Sequence, residues 1–289
     1  MSPAKVLVAQ HTQALEEIGK PIIIVTHPRS GTHLTIDLLR KQFQECRSWL
    51  WFGETLHHSY LNLDHLAEKH SPHINQQQAL NILHRAKRPI IKTHSLPGFK
   101  ELSYDHNEFV EKLMENADLY YVVRDGRDVL CSVHLWAQQS NRQARCSLSE
   151  FIRQEENGMS RPKIWANHIH RWLEQPNIKV LKFEQNVKDT RNVVAQIGKE
   201  LGIKPLYMEP LLPIKRQSGS RWEDYLLRLT RQFESTTIVG RYNGKKPEKW
   251  QEAFTYEDCE FFHREAGDLL ISLGYEVSDA WVKTRFVKS

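Results

Sequence analysis

Short apolar runs rich in β-branched residues alternate along this chain with longer stretches of helical periodicity. The first run, Ile22-Ile23-Ile24-Val25, is too short for a helix and reads as a fully buried strand. A polar loop follows, Pro28-Arg29-Ser30-Gly31-Thr32, and then Leu34, Ile36, Leu38 and Leu39 begin an amphipathic helix. Three later runs, Ile90–His94, Leu119–Val123 and Ile178–Phe183, repeat the strand pattern. Between and beyond them the periodicity predicts helices over Gln76–Ala86, with Leu80 and Leu83 inward, and over Phe109–Met114, Val129–Gln139 and Val187–Leu201. Leu148–Glu174 reads as mostly helical, with Pro162 as a kink or restart. Further helices are expected over Val6–Ile18, Trp222–Phe233 and Tyr256–Leu273, and Thr236–Lys249 reads as a Gly- and Lys-rich loop. Strands separated by helices predict a central parallel sheet with right-handed crossovers, and the length fits one α/β domain over residues 1–289, with two small domains as the alternative.

In such sheets ligands bind beyond the carboxyl ends of the strands. Three of the predicted strands end in polar groups there: Pro28–Thr32, Lys92–His94 and Arg124–Arg127. A strand feeding a Gly-bearing loop into a helix N-terminus suits an anion, because the first helical N–H groups lack intrahelical partners. Gly31 is expected to let the backbone approach a ligand, and Arg29, Ser30 and Thr32 add donors. The loop lacks the first Gly and the Lys of a nucleoside-triphosphatase GxxxxGK[ST] motif. Taken alone, it also fits an ordinary turn whose Ser and Thr cap a helix. Arg124 and Ser132, eight residues apart, can hold a second, separate anion, with Arg241, Lys245 and Lys246 covering it. Two anion sites flanking one cleft suit a nucleotide phosphorylated at two positions, with His94 as a general base between donor and acceptor.

Composition narrows the classes. The 289 residues are 40% hydrophobic and carry a formal net charge of +5, mild for a nucleic-acid binder and suited to a small anionic ligand. No apolar run approaches a membrane span, and the acid-bearing first twenty residues lack a signal-peptide core, so a soluble, cytoplasmic protein is expected. The four cysteines are scattered and the fifteen histidines form no HExxH motif, so neither disulfides nor a metal site is expected. The aromatic stretch Trp49–Phe52 has two readings: a cover for the core or part of an acceptor pocket. Arg127 reads equally as a site residue or a solvated charge, and Trp250 and Phe254 as core anchors.

Taken together, these segments resemble the cytosolic sulfotransferases, which use 3′-phosphoadenosine 5′-phosphosulfate (PAPS). THPRSGTHL resembles the family's 5′-phosphosulfate loop and RPIIKTHSLP the segment bearing its catalytic base. YYVVRDGRDVLCS resembles its 3′-phosphate segment, and VGRYNGKKPEKWQEAFT its closing loop, in the family's order over about residues 21 to 275. The resemblance implies a P-loop-like fold and places Arg29, Ser30, Gly31, Thr32 and His33 at the 5′-phosphosulfate. It makes His94 the base, with Lys92 and Arg29 beside the transferring group. Arg124 and Ser132 would bind the 3′-phosphate, helped by Arg241, Gly244 and Lys245. The expected acceptor is a small molecule, with a secondary metabolite as the first guess, the product is 3′,5′-bisphosphate adenosine (PAP), and no metal, nucleic acid or membrane is implied.

Three positions depart from the family pattern. The loop Lys is Arg29, which keeps the charge but gives up no proton to the leaving phosphate. The adenine-stacking Trp falls at Leu34, leaving Trp222 as the candidate, and the Tyr after the fourth strand is Phe183. These point to a bacterial-type member. The competing readings are a P-loop-type kinase of a small molecule, which needs Mg²⁺ ligands and a phosphate Lys, and a non-catalytic nucleotide-binding or nucleic-acid-binding module.

Overall fold

The computed structural model describes residues 15, 17–51, 54–67, 72–100, 102, 104–208, 210, 235–236 and 249–284. The expected helices over Val6–Ile18 and Trp222–Phe233 fall largely or wholly outside them, as do Trp222, Arg241, Gly244, Lys245 and Lys246. The described residues form two compact units. One draws on the segments Met1–Thr26, Gly31–Val122 and Pro176–Thr237, the other on His27–Ser30, Val123–Gln175 and Ile238–Ser289.

The first unit carries the sheet. β1 (Ile22–Thr26) is followed by α1 (Thr32–Gln42), the two-residue β2 (Leu61–Asn62), α2 (Gln76–Leu83) and β3 (Ile90–Thr93). Then come α3 (Tyr104–Glu115) and β4 (Asp118–Val123). The five-stranded sheet has the order β2-β3-β1-β4-β7, with β7 at Lys179–Lys182. β1 pairs in parallel with β3, Ile24 opposite Lys92, and with β4, Thr26 opposite Val122. All five residues of β1 are buried, as a central strand covered on both faces requires. Ile22, Ile24, Ile36, Leu39, Tyr120 and Val194 belong to one core cluster. α7 (Phe183–Lys188) and α8 (Thr190–Leu201) divide at Asp189, where a single helix was expected, and Gly202 closes α8 in the left-handed conformation. Leu80 and Leu83 face inward as expected, but α2 stops at Leu83, ahead of Arg88-Pro89.

The second unit is mainly helical. α4 (Gly126–Ala137) and α5 (Leu148–Arg153) precede a hairpin, β5 (Glu155–Glu156) with β6 (Met159–Ser160). α6 (Arg161–Leu173), α9 (Trp250–Ala253), α10 (Tyr256–Ser272) and α11 (Trp281–Thr284) complete it. The expected mostly helical stretch Leu148–Glu174 is therefore two helices separated by a hairpin. Asn157 and Gly158 supply its two positive φ values, the usual device of a two-residue turn. Pro162 is a restart: Ser160 caps α6 and Pro162 sits in its first turn. Trp250 and Phe254 are buried, as expected of anchors. Arg127 is not a solvated charge. It is 1% exposed, donates to Asp125 (2.7 and 3.0 Å) and Glu276 (2.5 Å), and lies 3.6 Å from the ring centre of Trp250 and 4.5 Å from that of Trp281.

Among the described residues no helix is long and apolar enough to cross a membrane.

Candidate active site

In the first unit, the carboxyl ends of β1 and β3 bring Thr26 beside His94. His94 Nδ1 lies 2.8 Å from the Thr26 carbonyl oxygen and 3.0 Å from Thr26 Oγ1. A carbonyl only accepts, so Nδ1 carries the hydrogen and, in the neutral ring, Nε2 keeps its lone pair. Lys92, two residues earlier and therefore on the same face of β3, brings Nζ to 3.5 Å from Nε2. Lys92 is buried; burial pushes its ammonium below the usual lysine range, and the Asp64 carboxylate opposes that shift. Thr26 Oγ1 also shares a 2.6 Å hydrogen bond with Thr32 Oγ1 in the first turn of α1.

Asp64 has no motif to announce it. It follows β2, in the 3₁₀ turn Leu63–Leu66, and accepts from the Thr93 hydroxyl (2.8 Å), the Ser95 hydroxyl (3.0 Å) and the His94 amide (3.1 and 3.2 Å). Burial raises its carboxyl, but the charge of His94, the bonds from Thr93 and His94 and the charge of Lys92 together hold it below the usual range.

Gly31 opens α1 with φ +102°, and no side chain caps that helix. This glycine also has a packing reason inside the protein. A Cβ there would stand 2.4 Å from the ring of Phe183, so the space it vacates is filled by an aromatic side chain. Gly31→Ala combines that clash with an unfavourable φ and is expected to cost about 1–3 kcal/mol. Urea unfolding checks it; an unchanged midpoint would contradict the packing. The His33 imidazole engages Thr236 Oγ1 at 3.1 Å, and Thr236 N and Ser235 Oγ donate to the buried Asp37 of α1.

In the second unit, the loop after β1 meets the turn after β4. Arg29 adopts φ +70°, rare for a residue with a Cβ. Its Nε donates to Ser132 Oγ at 3.2 Å, and Arg124 donates to the Arg29 carbonyl at 3.0 Å. Arg29 and the Arg124–Ser132 pair, expected at two separate anions, are hydrogen-bonded to one another, because Ser132 lies in α4 on the face reached by Arg29. Ser30 Oγ is buried and has no hydrogen-bond partner among the described residues. An unsatisfied hydroxyl costs about 1–3 kcal/mol, and an anion at this loop would satisfy it. Asp128 accepts from Trp250 N at 3.1 Å and fixes the start of α9 on α4.

Of the aromatic stretch, Phe52 lies outside the described residues, and Trp49 and Trp51 join neither group. Trp49 and Trp51 are 52% and 66% exposed, so they do not cover the core. Trp49 instead lines a cavity of about 600 Å³ with Ile18, Arg47, His84 and Lys87. Those residues precede β1 and β3 or follow α1, away from the strand ends that carry Thr26 and His94.

The first unit thus holds an imidazole beside an ammonium and the buried Thr32 hydroxyl at a helix N-terminus, and the second an Arg124–Arg29–Ser132 network. The profile of the sulfotransferase domain family matches residues 20–271, and the chain belongs to that family. Curated relatives include sulfotransferase 2A6 of Mus musculus, 27% identical over 197 residues, or 63% of this chain and 60% of the relative. The 3-beta-hydroxysteroid sulfotransferase of Cavia porcellus is 26% identical over the same shares. The chain thus spans about 60% of the length of these relatives. Similar solved structures include retinol dehydratase with androsterone and inactive cofactor PAP (TM-score 0.45, 20% identity, 91% of this chain and 84% of that one). Another is a sulfotransferase from Alicyclobacillus acidocaldarius (TM-score 0.48, 15% identity, 91% and 99%).

Proposed function

We propose that this chain, acting as a single sulfotransferase domain, moves a sulfuryl group from PAPS to a hydroxyl or amine of a small acceptor. The observation that carries the proposal is His94 in a member of this family: its Nδ1–H is committed to the Thr26 carbonyl and its Nε2 faces Lys92. In the step, acceptor oxygen or nitrogen bonds to sulfur while the bond from sulfur to the bridging phosphate oxygen breaks. His94 Nε2 takes the acceptor proton and PAP leaves with the electron pair. Arg29, Ser30, Gly31, Thr32 and His33 are assigned to the 5′-end of the donor, and Arg124 and Ser132 to its 3′-phosphate. Arg29 contributes fixed charge only, because a guanidinium keeps its proton. Trp222, Arg241, Gly244 and Lys245 keep the donor roles the resemblance implies. The orphaned Ser30 hydroxyl supports an anion at this loop. The acceptor is read as a small metabolite, and the relatives' names put hydroxysteroids first in an acceptor panel.

Thermal unfolding with PAP and with MgATP, each with and without EDTA, tests the donor class. PAP at one hundred times its dissociation constant is expected to stabilise by about 2.7 kcal/mol, unaffected by EDTA. Stabilisation by MgATP alone would favour the small-molecule kinase.

A further inference from the structure

We propose that Asp64 is a positioning residue for the transfer step: its carboxylate fixes the backbone at His94 and compensates the Lys92 charge that faces the imidazole. The inference rests on the functional reading above and extends it to a residue that touches no reactant. Three consecutive residues, Thr93, His94 and Ser95, all donate to this one carboxylate, and they are the residues at which β3 ends. The acceptor side of those bonds comes from the turn after β2, itself held by Asn62, whose side chain accepts from Asp64 N at 3.3 Å. The edge strand therefore sets where the base stands.

Charge gives the second half of the argument. Facing His94 are Lys92 from its own strand, Asp64 from the turn after β2, and the uncharged Thr26 hydroxyl and carbonyl from β1, with Thr32 of α1 beyond. An ammonium 3.5 Å from Nε2 disfavours an imidazolium, which keeps the ring available to take a proton. The ammonium is itself buried, which disfavours its own charge. Asp64 offsets that penalty. One carboxylate, one ammonium and one neutral imidazole form a balanced set, and removing the anion makes both cationic forms harder to hold.

Asp64→Asn keeps the shape and one acceptor oxygen but removes the charge. Both limbs of the kcat/KM profile, the ascending one from His94 and the descending one from Lys92, whose ammonium is assigned to position the transferring sulfuryl group, should move down by about one pH unit. On the alkaline side, turnover then falls about tenfold at fixed pH. Asp64→Glu keeps the charge and displaces the bonds, so its limbs stay at their wild-type positions while kcat drops. That variant carries the test if Asp64→Asn does not fold. Ring ¹⁵N resonances of His94 report its midpoint without any turnover, and the Asn variant should lower it by a similar shift. Unmoved limbs and an unmoved midpoint in Asp64→Asn, or shifted limbs in Asp64→Glu, would overturn the role of Asp64. Absence of sulfuryl transfer by the wild-type protein would instead overturn the functional reading, leaving the resonance titration to judge Asp64 alone.

Discussion

His94→Ala is expected to lower kcat by about 10²–10⁴-fold while leaving PAP affinity within a small factor of wild type. Removal of the ring takes away the proton acceptor, and with it the acidic limb of the pH profile. The groups proposed to grip the donor keep their own bonds: Thr26 Oγ1 loses its contact with the ring but retains Thr32 Oγ1, and the Arg124–Arg29–Ser132 network does not involve His94. The effect should therefore fall on kcat, the signature of an interaction made in the transition state. Initial rates with labelled PAPS against a panel of alcohols, phenols and amines, beside a PAP titration, make the comparison. Turnover near wild type would remove His94 as the base.

The largest effect on stability is expected from Arg127→Ala, about 3–5 kcal/mol. The guanidinium is fully enclosed and serves two carboxylates, Asp125 and Glu276, while filling the gap between Trp250 and Trp281. Its deletion strands the mostly buried Asp125, which also accepts from the Arg127 amide at the start of α4. It opens a void between two indoles as well. Lysine keeps the charge but not the planar fork, so Arg127→Lys is not a neutral exchange. Urea unfolding followed by tryptophan fluorescence measures the cost; a loss below about 1 kcal/mol would mean that the buried pair is dispensable.

The strands with four or more β-branched or aromatic residues in sequence were legible, because central parallel strands are buried on both faces and need no alternation. β2 was not, since two residues carry no period. The hairpin at 155–160 was legible in principle: Asn157-Gly158 is a strong turn signal, overridden by the helical pattern on either side. The split at Asp189 left the apolar spacing of α8 intact and so gave no warning. His94, Lys92, Arg29 and Ser132 could be named from motifs and spacing. Asp64 and Thr26 could not, because their contacts with the His94 segment come from strands distant in sequence meeting at one edge. At Gly31 the sequence shows a missing Cβ but not the Phe183 ring that packs into its place.

The outer strands of the sheet have a further consequence. Among the described residues β2 and β7 are its borders. One is two residues long, and the other begins and ends with lysine. A strand from a second copy would find almost no ladder to extend on one side and would have to bury ammonium groups on the other. The same brevity that hides β2 from a reader of the sequence leaves a neighbouring chain little to pair with along that border.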